Sequence, residues 1–552
     1  MDVAGSLGEA ANMGAAALQS LQRGGLEIDE LLVAAAYSHP VTHLKLKETH
    51  ISWVVLTGPF AYKIKKSVRY AFIDASTLER RRVLCSEELR LNRRFAPDLY
   101  LDVVPIVRDN GQLKVGGDGV PVEFAVRMHE FDPAQELAAQ LERNGVTAQD
   151  MNAFGAQVAD LHLRAAVAAF QGPYGTLEKI RAPMLANLDL LRTHLNDAIE
   201  LKLLQQLAMW TDASLAKLQP MIDSRRQRGM VRECHGDLHA SNIVRWRQQW
   251  QPFDCLEFDP DLRWIDVISD TAFLFMDLMS RGRQNLAHEF LSRYLEETGD
   301  YDGLRLLPLY AAYLALVRAK VDALGAEIAG PGQRAALESR LGERLETAVR
   351  FMNMKPAALV IMHGVTASGK SWLSEQLVPS MPALRIRSDL ERKRLAGVAP
   401  LAKRVFGVGE GAYDTASTQS TYQRLLACAE SALEGRRSII IDATFLDQMH
   451  REMFHALAQR HGCQFLIASC VSDAATMRSR LETRARSALD PSEATEAVLE
   501  QQLRSLHQLS AEERQHAIEV DTSGLGTASA GALAVRTLLT SIDCANSDQA
   551  SS

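Results

Sequence analysis

Alternating and periodic apolar residues predict paired strands and one helix near the start of the chain. Ser52–Leu56 and Phe60–Lys65 are two β-rich runs joined at Gly58 and Pro59, a combination that predicts a hairpin. The charged stretch 76–95 that follows spaces its apolar residues three and four apart, as an amphipathic helix does. This part of the chain is therefore predicted to combine strands with a helix.

Helical patterns dominate the middle of the chain. Residues 134–228 and 266–350 are rich in apolar residues at helical spacing and are predicted to be mainly helical. Between them, Ile243–Trp246 and residues 253–258 are β-rich and are separated by turn-forming polar residues, which predicts a second hairpin.

The pattern changes after Asn353 and Pro356. Residues 357–362 form a continuous apolar run bounded by glycine, as expected of a buried parallel strand, and the rest of the chain alternates between strand and helix patterns. The first part is therefore predicted to be an α+β domain with a strand-rich N-lobe and a helical C-lobe, and the second an α/β domain with a mainly parallel sheet. The further strands predicted in the second part are residues 384–386, Ser438–Asp442 and residues 465–471.

This change of pattern divides the chain of 552 residues into two main domains. The first 25 residues are rich in Ala, Gly and Ser and are expected to be a mobile tail. The predicted domains are residues 26–350 and 357–545, joined by a linker at 351–356 and followed by a second tail at 546–552.

Composition narrows the class of protein. Lys plus Arg is 61 and Asp plus Glu is 68, and the resulting net charge of −7 argues against general binding to nucleic acid or to an anionic membrane surface. Seven cysteines with no CxxC pair argue against a disulfide scaffold and a standard zinc site. No apolar stretch is long enough to cross a membrane, and the N-terminus lacks the pattern of a secretion signal. We therefore expect a cytoplasmic protein that does not act at a membrane.

A phosphate-binding loop is the most specific motif. The segment from Gly364 to Ser371 fits GxxxxGK[ST] in full, and it follows an apolar strand and precedes a helical pattern, as the motif requires. Its glycines let the backbone curl so that successive N–H groups point at the phosphates of a nucleotide. Lys370 is expected to reach the β- and γ-phosphates, and Ser371 to ligate Mg²⁺. The residues predicted to hold the nucleotide are Gly364, Val365, Thr366, Ala367, Ser368, Gly369, Lys370 and Ser371.

Four further residues complete this candidate site. Asp442 ends an apolar strand, a position that suits a second ligand of Mg²⁺, and Asp389 follows another strand, where it could accept the proton of an acceptor hydroxyl. Arg480 and Arg484 belong to an arginine-rich helix that precedes residues 487–492, and arginines on a mobile segment could neutralise charge on the triphosphate. The competing interpretations are a helix-capping role for either aspartate and a solvated helical face for the arginines.

Residues 358–540 resemble the small P-loop kinases, in the manner of gluconate kinase, polynucleotide kinase and zeta-toxin-type enzymes. The motifs that carry this resemblance are GVTASGKS, RSDLERKRL, IIIDATF and the arginine-rich helix followed by DPSEA. The resemblance implies that Asp389 lies beside the acceptor hydroxyl. None of the four motifs identifies the acceptor.

A second constellation lies in the first domain, where residues 235–242 read HGDLHASN. Asp237 and Asn242 have the spacing of a kinase catalytic loop, in which the Asp receives the hydroxyl proton and the Asn holds Mg²⁺. Lys63 or Lys65, which share a strand face, would pair with the phosphates, and we favour Lys63. Glu87 or Glu88 on the following helix could anchor that lysine, and spacing allows either Asp254 or Glu257 as the second metal acid.

Residues 40–345 are similar to the aminoglycoside phosphotransferase family through this HGDxxxxN signature and the YKI context of Lys63. The similarity implies a two-lobe, protein-kinase-like fold and phosphoryl transfer from ATP. The chain departs from the kinase pattern because it lacks a GxGxxG loop and a DFG motif, and Gly58 alone stands in the predicted hairpin turn.

The sequence as a whole predicts an ATP- and Mg²⁺-dependent phosphotransferase with two nucleotide sites and small-molecule hydroxyl acceptors. One alternative is an ATPase switch in which one domain only senses nucleotide. A second alternative is phosphorylation of a nucleic-acid 5'-hydroxyl by the P-loop domain, against which the acidic charge balance weighs. The sequence leaves the oligomeric state open.

Overall fold

The computed structural model divides the chain into two compact units. The first unit lies within Met1–Val146, Leu161–Ser280 and Leu309–Met352, and the second within Thr147–Asp160, Arg281–Pro308 and Asn353–Ser552. The residues that the structure describes are 27–70, 73–356, 358–398, 415–486, 496–523 and 540. Both predicted tails and residues 487–492 therefore lie outside the described residues.

A six-stranded antiparallel sheet forms the strand-rich part of the first unit, in the order β1-β2-β3-β6-β4-β5. The predicted hairpin is confirmed, with Val55 paired with Tyr62, and helix α1 follows it as predicted. Thr77 begins this helix by accepting the N–H of Arg80, which satisfies one of the free amide groups of the first turn. The elements are β1 (Lys45–Glu48), β2 (Ser52–Leu56), β3 (Phe60–Lys65), α1 (Leu78–Asn92), β4 (Tyr100–Asp109), β5 (Gln112–Val115) and β6 (Pro121–His129).

Helices follow, as the pattern predicts, together with two small antiparallel strand pairs, of which the pair of β7 and β10 was not predicted. Strand β7 pairs with β10, and β8 pairs with β9. The elements are α2 (Leu137–Glu142), α3 (Ala148–Arg164), α4 (Leu177–His194), α5 (Ala198–Gln227), β7 (Val231–Glu233), β8 (Ile243–Trp246), β9 (Gln249–Pro252), α6 (Pro260–Arg263), β10 (Trp264–Asp266), α7 (Val267–Ser280), α8 (Gln284–Thr298), α9 (Leu307–Ile328) and α10 (Pro331–Asn353).

The second hairpin was predicted with the wrong return strand. Arg247 and Gln248 both adopt positive φ, at 48° and 67°, and form a two-residue turn that places Gln249 opposite Trp246. The chain therefore returns as β9 directly after β8, and residues 253–258 form a loop instead of a strand.

The second unit contains the predicted parallel sheet, which has five described strands in the order β12-β13-β11-β14-β15. Strands β11 and β13 are buried along their whole length, which explains their continuous apolar sequences. Strand β15, at one edge, was not predicted. The elements are β11 (Ala358–His363), α11 (Lys370–Leu377), β12 (Ala383–Arg387), α12 (Ser388–Leu395), α13 (Thr415–Glu434), β13 (Ser438–Asp442), α14 (Gln448–His461), β14 (Gln464–Val471), α15 (Ala474–Arg486), α16 (Glu496–Ser505) and β15 (Ala517–Asp521).

Helix α8 belongs to the second unit although it precedes that unit's sheet by many residues in sequence. The guanidinium of Arg385, on edge strand β12, donates to Glu296 of α8 over 3.1 Å, and its backbone N–H donates to Ser292 Oγ. Arg394 and Arg424 donate to backbone carbonyls of Glu296 and Gly299 at the end of the same helix. The domain limits drawn from the sequence remain a prediction, which did not include this placement of α8.

Among the described residues, no helix combines the length and apolar character needed to cross a membrane.

We expect Glu296→Gln to destabilise the second unit by about 3–5 kcal/mol, because it leaves the guanidinium of Arg385 buried without its carboxylate. Arg385 is only 9% exposed. Chemical unfolding of the full chain would measure the loss, and hydrogen exchange at the amides of β12 would locate it.

The control variant is Glu297→Gln on the same helix. Its carboxylate pairs with Arg293, and both side chains are about one-fifth exposed, so the loss should be smaller than that of Glu296→Gln. Equal effects of the two variants would show that the pair of Arg385 with Glu296 does not hold α8 on the sheet.

Candidate active sites

Two lysines in the first unit converge on one buried carboxylate. Lys63 and Lys65 lie two residues apart on β3, so their side chains leave the same face of the strand. Their ammonium groups lie 2.9 Å and 2.6 Å from the two carboxylate oxygens of Glu88 on α1, which is fully buried. Glu87, the alternative anchor, pairs with Arg90 and Arg263 instead.

The two candidate metal acids divide between these lysines. Asp254 lies 2.5 Å from Lys63, and Glu257 pairs with Lys65. Burial alone would raise the pKa of Glu88, but the two lysines outweigh it and hold this pKa below its usual value. The side chain of Lys65 is fully buried, whereas one-tenth of the Lys63 side chain is exposed. The pair of Lys63 and Asp254 is therefore the one that a ligand can reach.

The loop that carries Asp254 is tied to the HGDLHASN segment. The N–H of Phe253 donates to the backbone carbonyl of Asn242, and the ring of His235 lies 2.9 Å from the carbonyl of Phe253. Asp254 itself has a φ of 62° and donates its N–H to the hydroxyl of Tyr100. These bonds place the carboxylate of Asp254 beside the loop that contains Asp237.

Asp237 and Asn242 lie in contact. The amide of Asn242 donates to Asp237 Oδ2 over 2.7 Å and to the Asp237 backbone carbonyl over 3.1 Å. The other oxygen, Oδ1, is buried and accepts no hydrogen bond from the part of the chain that the structure describes. His239 Nε2 lies 3.4 Å from Oδ2, and its ring packs against Phe273. A buried carboxylate oxygen with no partner is available to a ligand.

Two acids of helix α7, which lie two turns apart, accept hydrogen bonds from the backbone of this loop. Asp270 accepts the backbone N–H groups of His235 and Gly236, and His162 Nε2 lies 3.1 Å from the same carboxylate. Asp277 accepts the N–H of Ala240 over 3.0 Å. The roles of His162 and Asp277 were not predicted. Two acids seven residues apart on an apolar helix were the available signal, because that spacing places both on one face.

The two hairpin turns that lead into β2 and β3 are not glycine-rich. The turn between β1 and β2 is closed by Thr49, whose N–H donates to the Ser52 carbonyl. In the turn between β2 and β3, the N–H of Gly58 donates to the carboxylate of Glu130 over 2.8 Å. Neither of these two turns therefore offers a glycine-rich cradle for phosphates.

The phosphate loop of the second unit joins β11 to α11. Gly364 and Gly369 adopt φ of 134° and 90°, and Ala367 adopts 59°, so the loop curls as its motif predicts. A Cβ atom on Gly369 would lie 2.8 Å from Thr522 Oγ1, too close for a side chain. Lys370, the first residue of α11, donates its ammonium to the carbonyl of Val365 over 2.6 Å and so lies over the loop.

Further contacts shape this loop from elements far away in sequence. Thr522, just after β15, donates its hydroxyl to the carbonyl of Ser368. The N–H of Thr366 donates to the side-chain carbonyl of Gln502 on α16 over 2.6 Å. The hydroxyl of Ser368 is buried and has no hydrogen-bond partner among the described residues. Neither Gln502 nor Thr522 was predicted, because no local pattern marks a residue that supports a distant loop.

A cavity of about 520 Å³ opens in front of the phosphate loop. Asp442, at the end of β13, accepts the hydroxyl of Ser374 over 3.2 Å. Asp389, on α12, lies 3.4 Å from the guanidinium of Arg392. The predicted site residues that line this one cavity are Thr366, Ala367, Gly369, Lys370, Ser371, Asp389 and Asp442.

Arg480 takes a different place from the one that the sequence suggested. Its guanidinium donates to the carbonyl of Ala367 and to both oxygens of Thr522, so it braces the phosphate loop and does not line the cavity. Arg484 is part of α15, but its side chain lies outside what the structure describes.

Comparisons with known proteins match both parts of the chain. Residues 66–307 match the model of the phosphotransferase enzyme family, and residues 359–509 match that of an AAA domain. Uncharacterized proteins of Mycobacterium tuberculosis and Mycobacterium bovis are each 29% identical over 451 residues, which cover 81% of this chain and 88% of the relative.

Solved structures of kinases also align with the chain. The choline kinase of Cryptosporidium parvum is 11% identical and has a TM-score of 0.38, over 59% of this chain and 96% of that one. A putative kinase of Chloroflexus aurantiacus is 19% identical and has a TM-score of 0.28, over 34% of this chain and 97% of that one. The two family matches confirm the predicted fusion of two domains: residues 66–307 are similar to the phosphotransferase enzyme family, and residues 359–509 are similar to an AAA domain.

Proposed function

We propose that this protein transfers the γ-phosphoryl group of ATP to hydroxyl groups of small molecules at two sites, one in each unit. The observation that carries this proposal is the set of residues that line the 520 Å³ cavity of the second unit. Residues of the phosphate loop line it together with Asp442, the proposed second metal ligand, and Asp389, the proposed proton acceptor. A volume of this order is typical of a small-molecule site.

In the second unit, ATP would bind with its phosphates against the backbone N–H groups of the loop and the ammonium of Lys370. Ser371 and Asp442 offer oxygen ligands of the kind that Mg²⁺ prefers. Bound Mg²⁺ would neutralise charge on the triphosphate during transfer.

The transfer itself needs a proton acceptor, and Asp389 is the proposed group. The acceptor oxygen forms a bond to the γ-phosphorus, the bond from that phosphorus to the β–γ bridging oxygen breaks, and ADP leaves with the electron pair. The hydroxyl proton passes to the Asp389 carboxylate. Arg480 would act by holding the loop, since it donates to the carbonyl of Ala367, and a direct role for Arg484 stays a prediction.

The first unit offers a parallel set of groups. Lys63, held by Glu88, would contact the phosphates, and Asp237 would accept the proton of a second hydroxyl. Asn242 and Asp254 are the proposed Mg²⁺ ligands. We place Asp254 ahead of Glu257 because Glu257 is paired with the fully buried Lys65, and burial raises its pKa.

A second candidate function is a nucleotide-sensing switch, which one observation favours. In the first unit the groups that would take nucleotide and metal contact one another, Lys63 with Asp254 and Asn242 with Asp237. In a unit that binds ATP without transferring it, these contacts would persist, because Asp254 and Asn242 would not be needed as metal ligands for transfer.

An acceptor screen tests the proposal. The full chain, Mg²⁺ and ATP would be incubated with sugars, polyols, nucleosides and aminocyclitols, and phosphorylated products detected by mass spectrometry. A product with phosphate on a hydroxyl supports the proposal. Release of phosphate at the same rate with and without every acceptor would favour the switch.

Lys370→Ala should weaken ATP binding in the second unit by roughly 10- to 150-fold, because a charge-assisted contact contributes about 1.5–3 kcal/mol. Calorimetric titration with ATP and Mg²⁺ should show two sites in the parent protein and one strong site in the variant. Lys355→Ala removes an exposed lysine from the same unit and should leave both sites intact. Loss of both sites in Lys370→Ala would mean that the first unit binds no nucleotide.

Asp389→Asn should reduce acceptor phosphorylation by the second unit at least 100-fold, because the amide cannot accept the proton. ATP affinity should stay within a few-fold, since the proposed partner of Asp389 is the acceptor and not the nucleotide. Glu519→Gln, an exposed change of the same kind on β15, serves as the control. Full activity of Asp389→Asn would assign the proton to another group.

Asp237→Asn should abolish transfer by the first unit with ATP affinity within a few-fold, by the same reasoning. The measurement is product formation in a Lys370→Ala background, where only the first unit turns over. Asp189→Asn, on the exposed face of α4, should retain the parent rate. If Asp237→Asn lost ATP binding with its fold intact, the carboxylate would belong to the nucleotide site.

A further inference from the structure

The cavity of the second unit has a wall whose residues take no part in the proposed nucleotide roles. Helix α13 contributes Thr418, Gln419 and Tyr422 to this wall, and the first turn of α14 contributes His450. These residues line the same cavity as Asp389, the proposed proton acceptor. They are therefore positioned to contact whatever carries the acceptor hydroxyl.

Tyr422 and His450 form a rigid stacked pair. Their ring centroids lie 3.8 Å apart with an angle of 7° between the planes. The hydroxyl of Tyr422 is already engaged, since it accepts the N–H of Phe445 over 2.9 Å and lies 3.3 Å from Thr444 Oγ1. Because Tyr422 is fixed, the imidazole stacked on it has a fixed plane as well.

The ring nitrogens of His450 line this wall without a hydrogen bond from the part of the chain that the structure describes. The side chain is more than nine-tenths buried, lines the cavity, and receives no hydrogen bond from the described residues. Burial lowers the pKa of His450, against the smaller opposing effect of Asp447, so the ring is neutral at pH 7. A neutral imidazole has one N–H donor and one nitrogen acceptor.

The charges of the wall restrict the kind of ligand. Asp389 and Arg392 lie 3.4 Å apart and offset each other. Asp447 begins α14 by accepting the N–H of Met449, and its carboxylate adds a negative charge to the wall. An anionic acceptor would meet this carboxylate and the triphosphate together. A hydroxyl both donates and accepts, so it matches either nitrogen of His450 in either tautomer.

We propose that His450 selects the phosphoryl acceptor of the second unit, and that this acceptor is a neutral polyhydroxyl compound with a hydroxyl group bound to the imidazole. The inference rests on the phosphotransferase function proposed above and specifies the substrate class of that site. His450 would contact a hydroxyl other than the one that is phosphorylated, which Asp389 serves.

The test compares acceptors that share a carbon skeleton and differ in charge: D-glucose, D-gluconate and D-glucosamine. A wider panel adds polyols, nucleosides and sugar phosphates in the same three charge classes. All proteins carry Asp237→Asn so that the second unit alone is measured. We expect the best acceptor, ranked by kcat/KM, to be neutral.

His450→Phe keeps the stacked ring and removes both nitrogens. For the best acceptor of the panel, KM should rise at least 10-fold, while kcat changes less than three-fold and KM for ATP stays the same. His450→Gln restores a donor and an acceptor and should recover part of the loss. His455→Phe makes the same change on the same helix outside the cavity, where the ring stacks on Phe465, and should match the parent.

The outcomes separate the two levels of the proposal. A charged acceptor preferred over every neutral one, or an acceptor KM within two-fold of the parent in His450→Phe, overturns the inference and leaves the phosphotransferase function standing. ATP binding without turnover of any panel member overturns both. A His450→Phe protein that unfolds at lower temperature is replaced by His450→Leu, which also lacks both nitrogens, and an acceptor KM within two-fold of the parent in that variant would equally overturn the role of His450.

Discussion

The carboxylate of Glu88 is the interaction on which the geometry of the first site depends. It takes Lys63 on one oxygen and Lys65 on the other, and each lysine then takes a second acid, Asp254 or Glu257, from the loop after β9. A charge inside a protein costs several kcal/mol unless a partner offsets it, so these five groups hold one another in place. Strand β3, helix α1 and the loop that carries Asp254 are thereby fixed relative to one another.

The second site is held in its conformation by backbone geometry and hydrogen bonds, whereas the first is held by buried charged side chains. Its phosphate loop depends on the positive φ angles of Gly364 and Gly369 and on the hydrogen bonds that Thr522 and Arg480 make to the loop carbonyls. Side-chain ion pairs respond to pH and to a change of one partner, whereas a cradle of N–H groups responds to any change that alters the path of the loop. The two candidate sites are therefore held in shape by different physical means.

Sequence patterns predicted the parts of this structure that depend on neighbours in the chain. The hairpin of β2 and β3, the phosphate loop and the spacing of Asp237 and Asn242 are local, and each is present as expected. Residues 253–258 were wrongly predicted as a strand because the turn at Arg247 and Gln248 makes the chain reverse earlier.

Long-range contacts explain what the sequence could not show. The acids that pair with Lys63 and Lys65 lie 191 and 192 residues away, and Gln502 supports a loop 136 residues away. No periodicity records such contacts.

The placement of α8 has a further consequence for synthesis on the ribosome. Glu296 of this helix lies in the region that matches the phosphotransferase family. Its carboxylate cannot pair with Arg385 until the intervening chain has been synthesised. The segment Arg281–Pro308 therefore emerges before its partner strand exists, and a nascent chain that stops early leaves this surface open to chaperones or to aggregation.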